Sequence, residues 1–522
     1  DVVQTVRNTF QKMAADGLIY RDNYIVNYCP NCGTTYSDIE VEHTQKNDPL
    51  YFMKYGPFTI ATVRPESKFR DTALAVNPKD KRYKDWMGKT LDIPGLLGPI
   101  TMTVIPDPEV DPKFGTGIMK VTPAHDTHDF QLGKKFNLPV LPIIDLSGRM
   151  DFSWFLSQAN QPEKYLSRAR NYHGKKVLEA RKLMVEDLKI DGLLEKIEEN
   201  YSHLVPTCKA GHAIEPTILP NWFIKVDSLK KPASTVVKTG KLKIFPPWRK
   251  ITYTRWMEIM HDWAISRQNV WGIRIPAWYN IDKNPNLKIS FLNSKKEVIS
   301  DEISQLLKKY SFEEIEKGLQ TMMAPMNCSY IISEDKPDLR SLQTTETFDT
   351  WFSSGQWPLV TLGYPNSKDF KYFYPTSVLE TGWEIFSKWV SRMVMFGFYL
   401  TKKSPFNFVY LHGMIHALDG RKMSKSLGNV INPDEYLQEF GADVLRMGLI
   451  SGTATGHDFN FPRDKVIAFR NFANKVWNIG RFILLSSQNK ADQTTEAEKQ
   501  LSLKLKGVTK EIDSNLEKFK FA

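Results

Sequence analysis

At 522 residues, with 41% hydrophobic and 12% aromatic side chains, the chain is too long for one compact core and reads as about three or four domains. Its 70 Lys and Arg against 59 Asp and Glu leave a net charge of +11, spread along the chain rather than gathered in a tail, which suits a polyanionic partner such as nucleic acid or nucleotide phosphates. No run approaches the roughly 18 apolar residues of a membrane span, and four cysteines in so long a chain argue against a disulfide framework and for a reducing, cytoplasmic setting.

In the opening segment Val3, Val6, Phe10 and Met13 recur at the spacing of one helix face, with Gly17 as the stop. That predicts a helix and not a signal peptide. Aromatic and β-branched residues then surround Cys29-Pro-Asn-Cys32 and predict a small β-rich knuckle. The two-residue gap lets both thiolates reach one tetrahedral zinc, and a second pair of ligands is needed. Cys208-Lys-Ala-Gly-His212 is the candidate, with His212 as the fourth ligand; a metal-free knuckle and a redox pair are the rival readings. Cys328 reads as an isolated thiol inside an insertion from about Asn280 to Thr345.

From about Leu50 to Leu146 short strands alternate with Gly and Pro, predicting a compact, mostly β module, and residues 160–200 read as charged helices leading back to a main body near Cys208. There FNFVYLHGMI is an extended apolar run, followed by a glycine-bearing loop and the helical pattern NPDEYLQEFGADVLRMGLI. Asn432, Pro433 and Glu435 supply a cap, a first-turn proline and a capping-box partner. Strand, loop and helix in that order is an α/β nucleotide-binding arrangement. Past Pro462 the pattern turns helical through RNFANKVWNIGRF, the polar connector SSQNKADQTTEAEKQ and a further helix.

The loop GRKMSKSLGN sits between that strand and helix and suits a clamp for phosphates. The ammonium groups of Lys422 and Lys425 neutralise charge developing on an α-phosphate and a leaving pyrophosphate, and the hydroxyls of Ser424 and Ser426 add hydrogen bonds. A solvated basic turn is the plain alternative. Five consecutive matching residues before a capped helix weigh against it.

With this loop, HDWAISRQNVWGIRIPAWY, ETFDTWFSSGQWP, HGMIHALDGRKMSKSLGNVINP and RNFANKVWN, the sequence resembles the class I aminoacyl-tRNA synthetases, and the valyl branch among them, over about residues 1–480. The resemblance implies an α/β fold: a partial Rossmann-type catalytic domain over residues 1–48, which carries the zinc knuckle, and 206–461, an inserted, mostly β editing domain over 49–205, and the start of an α-helical anticodon-binding domain over 462–522. It implies ATP with Mg2+, valine and tRNA(Val) as substrates, a structural zinc, and a monomeric full-length enzyme. Lys422 and Lys425 would then act on ATP phosphates, with Ser424 and Ser426 shaping the loop. Gly382 and Glu384 would lie against the ribose, His412 and Gly413 near adenine, and Trp351, Ile385 and Trp389 around the amino acid. Ile385 and Trp389, four apart, would share one helix face. Glu384 stands where the family has aspartate, one methylene longer, and a shift of ~1 Å can cost on the order of 100-fold in rate.

The same resemblance implies a hydrolytic site from ATVRPESKFRDTALAVNP and FGTGIMKVTPAHDTHDF. In it Asp126 would bind an ammonium, Asp129 a hydroxyl, and Lys120 with Thr122 a terminal adenosine or water, alongside Arg64 and Ser67, the last replacing the usual threonine. None of the ten histidines forms a His-x-Gly-His element, so the chain reads as truncated at both ends, with half a parallel sheet unpaired, and is expected not to form valyl-adenylate alone. A freestanding tRNA-binding or editing factor and an isoleucine-specific relative remain as alternatives.

Overall fold

The computed structural model describes residues 2–36, 40–269, 271–418, 420–423, 428–486 and 494–521. It is a mixed α/β molecule that divides into two compact units, one of Arg7–Ile224 with Ala264–Asp349, the other of Asp1–Val6, Lys225–Trp263 and Thr350–Ala522. The opening helix α1 (Val2–Ala15) buries Val6, Phe10 and Met13 as its periodicity predicts, and Gly17 ends it at φ +70°.

In the Arg7–Ile224 part of the first unit the strands in chain order are β1 (Ile19–Cys29), β2 (Thr34–Tyr36), β3 (Glu42–Tyr55), β4 (Phe58–Thr62), β5 (Ala73–Val76), β6 (Thr90–Ile93), β7 (Ile100–Pro106), β8 (Ile118–Val121), β9 (Leu194–Thr207) and β10 (Glu215–Ile224). β1 pairs antiparallel with β10 over its whole length and with β2 at its end. Two further sheets, β4-β3-β9 and β6-β7-β5-β8, enclose a core of Tyr55, Phe58, Phe69, Leu74, Val104 and Phe152, closed by helices Glu163–Tyr172 and Val177–Ile190. Helix α2 (Thr127–Phe136) follows β8.

The expected helical stretch stops early, because β9 is a strand. Its Leu, Glu and Lys residues favour a helix taken alone, but it runs antiparallel along β3 from Glu42↔Thr207 to Met53↔Leu194, and that pairing overrides a weak local preference. Residues 280–345 form a small α+β lobe with its own core of Leu287, Ile289, Phe291, Ile303, Phe312 and Ile315. Cys328 is buried there, its thiol donating to Asn286 Oδ1 at 3.3 Å.

In the second unit β11 (Lys243–Phe245) and the strands Phe406–His412 and Thr376–Gly382 form a three-stranded parallel sheet with Phe406–His412 in the middle. Its outer strands are edges among the described residues. Part of one face is nevertheless covered, since the Phe519 ring lies 4.9 Å from Phe245 and 5.1 Å from Tyr410. The long helix anticipated after Asn432 is two, Pro433–Phe440 and Ala442–Ile450, broken at Gly441 with φ +82°. Asn432 caps the first through the Asp434 amide, and its side chain does not reach the amide of Glu435. Helices Arg463–Ser486 and Glu496–Glu517 follow, the second opened by a capping box of Thr495 and Glu498, so the end of the polar connector is already helical. Among the described residues no helix is long and apolar enough to cross a membrane.

Candidate functional site

A strand, a turn and a helix bring the first cluster together within ten residues. β8 delivers Lys120, the turn Thr122–His125 reverses the chain, and Asp126 caps α2 by accepting the amides of His128 at 2.8 Å and Asp129 at 3.1 Å. Lys120 Nζ donates to Ser67 Oγ at 2.5 Å and Thr122 Oγ at 2.8 Å, and the Thr122 amide donates to Asp129 Oδ2 at 2.7 Å. Arg64, Ser67, Lys120, Thr122, Asp126 and Asp129 all line one cleft of about 430 Å³, so residues separated by up to 65 positions meet as expected. The arrangement also gives two of these residues local partners. One Asp126 oxygen is committed to the helix cap, and Arg64 is held by Glu66 at 3.2 Å and Glu215 at 2.5 Å.

Burial and then the nearby Asp126 push the Asp129 carboxyl up to about 7, against the pull of Lys120 and the Thr122 amide. An unfolded aspartate titrates near 4, so the folded state holds this proton more tightly. The stability it brings is full below about pH 4 and is lost as pH rises through about 7. Asp129→Asn is expected to flatten that decline, read as denaturation midpoints of parent and variant between about pH 5 and 8. Parallel curves would remove the basis for this titration.

The second cluster sits at the carboxyl ends of the parallel strands, where open α/β sheets place ligands. Gly382 and His412 are neighbours in register there, and Gly413 follows. Asp458 ties the ends together, accepting the Met414 amide and the Trp383 indole N–H, each at 2.7 Å. His412 Nδ1 donates to the Gly413 carbonyl at 2.8 Å, and its Nε2 lies 3.2 Å from Glu380. A Cβ at Gly413 would fall 1.6 Å from the His457 carbonyl oxygen. Gly413→Ala must therefore move backbone and is expected to lower stability by on the order of 3 kcal/mol, measured as the urea midpoint; an unchanged midpoint would contradict the close approach.

Lys422 Nζ lies 3.1 Å from both carboxylate oxygens of Glu384, with both side chains substantially exposed. Such a pair is worth at most about 1 kcal/mol, so it holds the lysine without sequestering it from a phosphate. Ile385 ends a single 3₁₀ turn and Trp389 lies in a π-helical turn, Phe386–Val390, so the expected α-helical face is not formed. The Trp389 indole donates to the Ser354 carbonyl at 2.8 Å, and Trp351 is half-buried in the helix Thr350–Ser354. Ser424, Lys425 and Ser426 lie outside the described residues.

The third cluster joins two tight turns 176 or more residues apart. Cys208 Sγ is 3.8 Å from Cys29 and 3.9 Å from Cys32, and His212 Nδ1 is 3.4 to 3.9 Å from all three sulfurs. A tetrahedral zinc with ~2.3 Å bonds to sulfur and ~2.0 Å to nitrogen requires edges of about 3.5–3.8 Å, and the donor set meets that dimension. Burial raises the Cys208 thiol, and the amides of Ala210 and His212 with the neighbouring thiols outweigh it and bring it down to about 7. Gly211 takes φ +77°, a glycine conformation, and so turns the next residue, His212, into the ligand position.

The family described as tRNA synthetases class I (I, L, M and V) matches residues 1–462. This chain belongs to that family. Curated relatives of this class I synthetase chain include the valine--tRNA ligases of Clostridium acetobutylicum, 38% identical over 99% of the chain and 54% of the relative, and of Thermotoga maritima, 38% identical over 99% and 55%. The chain thus spans about half the length of the curated relatives it matches. A leucyl synthetase–tRNA complex from Agrobacterium radiobacter K84 aligns with 99% of the chain and 66% of its own at 17% identity and a TM-score of 0.43.

Sequence reading missed three contributors to this class I chain's sites. Asp71 is buried beneath Lys120, Glu66 is paired bidentately by Arg181 at 2.8 Å, and Asp458 joins the strand ends. Asp71 and Glu66 fall inside the quoted ATVRPESKFRDTALAVNP, where only their partners' distant positions could have marked them.

Proposed function

We propose that the chain carries parts of valine–tRNA ligase chemistry: the phosphate-handling elements that activate valine with ATP and Mg2+, and a cleft that hydrolyses threonine misattached to tRNA(Val). The valine assignment is supported by the 38% identical relatives. The hydrolytic reading rests on one observation, the meeting of Lys120, Thr122, Ser67, Asp126 and Asp129 in a single cleft. A pocket shaped for valine cannot strongly reject threonine, so a second site supplies the missing discrimination. There the Asp126 carboxylate, with one oxygen on the helix cap, faces the aminoacyl ammonium. Asp129 takes the threonine hydroxyl, and Lys120 with Thr122 orients the terminal ribose or the attacking water. At the strand ends Lys422, with Lys425, neutralises ATP phosphates beside Gly382, His412 and Gly413. Cys29, Cys32, Cys208 and His212 hold a structural zinc, which clamps the two turns and takes no part in either reaction.

The test is hydrolysis of threonyl-tRNA(Val) against valyl-tRNA(Val) by the chain, with Asp126→Asn as the variant. Asparagine keeps an oxygen for the cap, worth about 1 kcal/mol, and removes the charge. The expected result is faster hydrolysis of the threonyl ester by the parent and a loss of at least about 10-fold in the variant, carried mainly by KM because a ground-state ion pair is lost. Equal rates on both esters would overturn the assignment.

A further inference from the structure

Below the floor of the cleft lies a buried chain of contacts that the hydrolytic reading does not use. Asp71 is 2% exposed. Its Oδ2 accepts the Tyr55 hydroxyl at 2.7 Å, and its Oδ1 accepts the Thr122 hydroxyl at 2.5 Å and faces Lys120 Nζ at 3.4 Å. Tyr55 is fully buried at the end of β3, and its ring carries Lys68 Nζ 3.3 Å from the centroid. That ammonium has no hydrogen-bond partner among the described residues. Thus the part-buried Lys120 ammonium faces the Asp71 carboxylate from the cleft side, burial pulls the Lys68 amine down to about 7 beside it, and Asp129 accepts the Thr122 amide.

We propose that Asp71, fixed by the Tyr55 hydroxyl, is the positioning residue that sets the rotamer of Thr122 and the place of the Lys120 ammonium in the cleft. The inference rests on the hydrolytic reading above. Its physical basis is hydrogen-bond inventory. A threonine hydroxyl has one proton to donate, and Asp71 takes it, so the Thr122 oxygen presents its lone pairs to Lys120 and to the cleft. Lys120 has three protons; Ser67 and Thr122 take two, and Asp71 on the third side stops the ammonium from swinging out of the cleft. Tyr55 keeps the carboxylate from rotating, and no atom of Tyr55 or Asp71 lines the cleft. Neither residue touches a substrate in this arrangement.

The experiment compares threonyl-tRNA(Val) hydrolysis by the 522-residue chain with that by Tyr55→Phe and Asp71→Asn, with thermal midpoints to show that each variant is folded. Tyr55→Phe removes one oxygen from a packed ring and is expected to lower kcat about 10-fold with KM within about twofold. Asp71→Asn keeps the shape and removes the charge, and is expected to lower kcat on the order of 100-fold. Because Tyr55 acts only through Asp71, the double variant is expected to lose no more kcat than Asp71→Asn alone, a non-additivity that a loss of packing at two separate positions does not produce. Folded single variants with parental kcat, or a folded double variant whose losses multiply, overturn the positioning role. A folded parent that hydrolyses no threonyl ester overturns the hydrolytic reading itself, and this inference with it.

Discussion

Lys120→Met is expected to lower the kcat of threonyl-tRNA(Val) hydrolysis by about 10² to 10³-fold, the range in which a preorganised donor or an acid–base group contributes to a transition state. Methionine keeps most of the apolar stem, so the loss reports the ammonium rather than a cavity. In the parent that ammonium is the junction of the cleft. It donates to Ser67 Oγ and Thr122 Oγ, faces Asp71, and its side chain is only 11% exposed. Removing it frees the Ser67 and Thr122 oxygens of one donor and leaves the Asp71 carboxylate with the Tyr55 and Thr122 hydroxyls and the nearby Lys68. Uncompensated burial of a charge costs several kcal/mol, and those two donors offset part of it, so the variant should fold with a lowered thermal midpoint. Assays below that midpoint separate the two effects. Lys120→Arg should recover little activity, because a planar fork cannot send one donor to each hydroxyl from the position of a compact ammonium. A Lys120→Met rate near the parent's would remove the lysine from the chemistry.

How much of this site was readable in the sequence depends on how far apart its parts lie. Lys120, Thr122, Asp126 and Asp129 span one strand end, one turn and one helix start, so a local pattern carries their geometry. Arg64 and Ser67 joined them only through the family pattern, and Asp71 and Tyr55 not at all, since a buried aspartate before a strand looks like any turn residue until the tyrosine from another strand is placed on it. The misreading of residues 194–200 has the same origin. Leu194, Glu195, Lys196 and Glu198 are acceptable helix formers, and only β3, about 150 residues earlier, makes them a strand. Where a backbone rule acts locally the sequence was enough to place the element start, as with Asn432 and Pro433, but the break at Gly441 was overlooked although its glycine was visible. The face proposed for Ile385 and Trp389 failed for a different reason. Spacing assumes an α-helix, and a 3₁₀ turn running into a π-helical one shifts each side chain's direction.

The cysteine cluster carries the other large expected effect. The parent should bind one zinc per chain, and Cys208→Ala should abolish that stoichiometry and lower the thermal midpoint by the same amount as chelation of the parent. The position of Cys208 explains why the loss spreads. It follows Thr207, which pairs with Glu42 at the root of the β3–β9 ribbon, while Cys29 ends β1, which runs the length of β10. A metal at this point joins residues 179 positions apart, and free of it the two turns keep the end of the β1–β10 ladder and a small apolar contact of Cys29, Cys208 and Ile214 with Tyr36 and Val41. Structural zinc sites in small peptides contribute apparent free energies of ~10–16 kcal/mol; here the unit retains its other cores without metal, so a loss of several kcal/mol and local fraying is the expected scale rather than global unfolding. His212→Cys separates metal binding from packing. Gly211 with φ +77° still turns residue 212 toward the sulfurs, so a thiolate there completes a four-sulfur set and should retain zinc, whereas Gly211→Ala strains that turn and should weaken it. Metal analysis finding no zinc in the folded parent, or Cys208→Ala melting with the parent, would leave the cluster as a set of packed thiols.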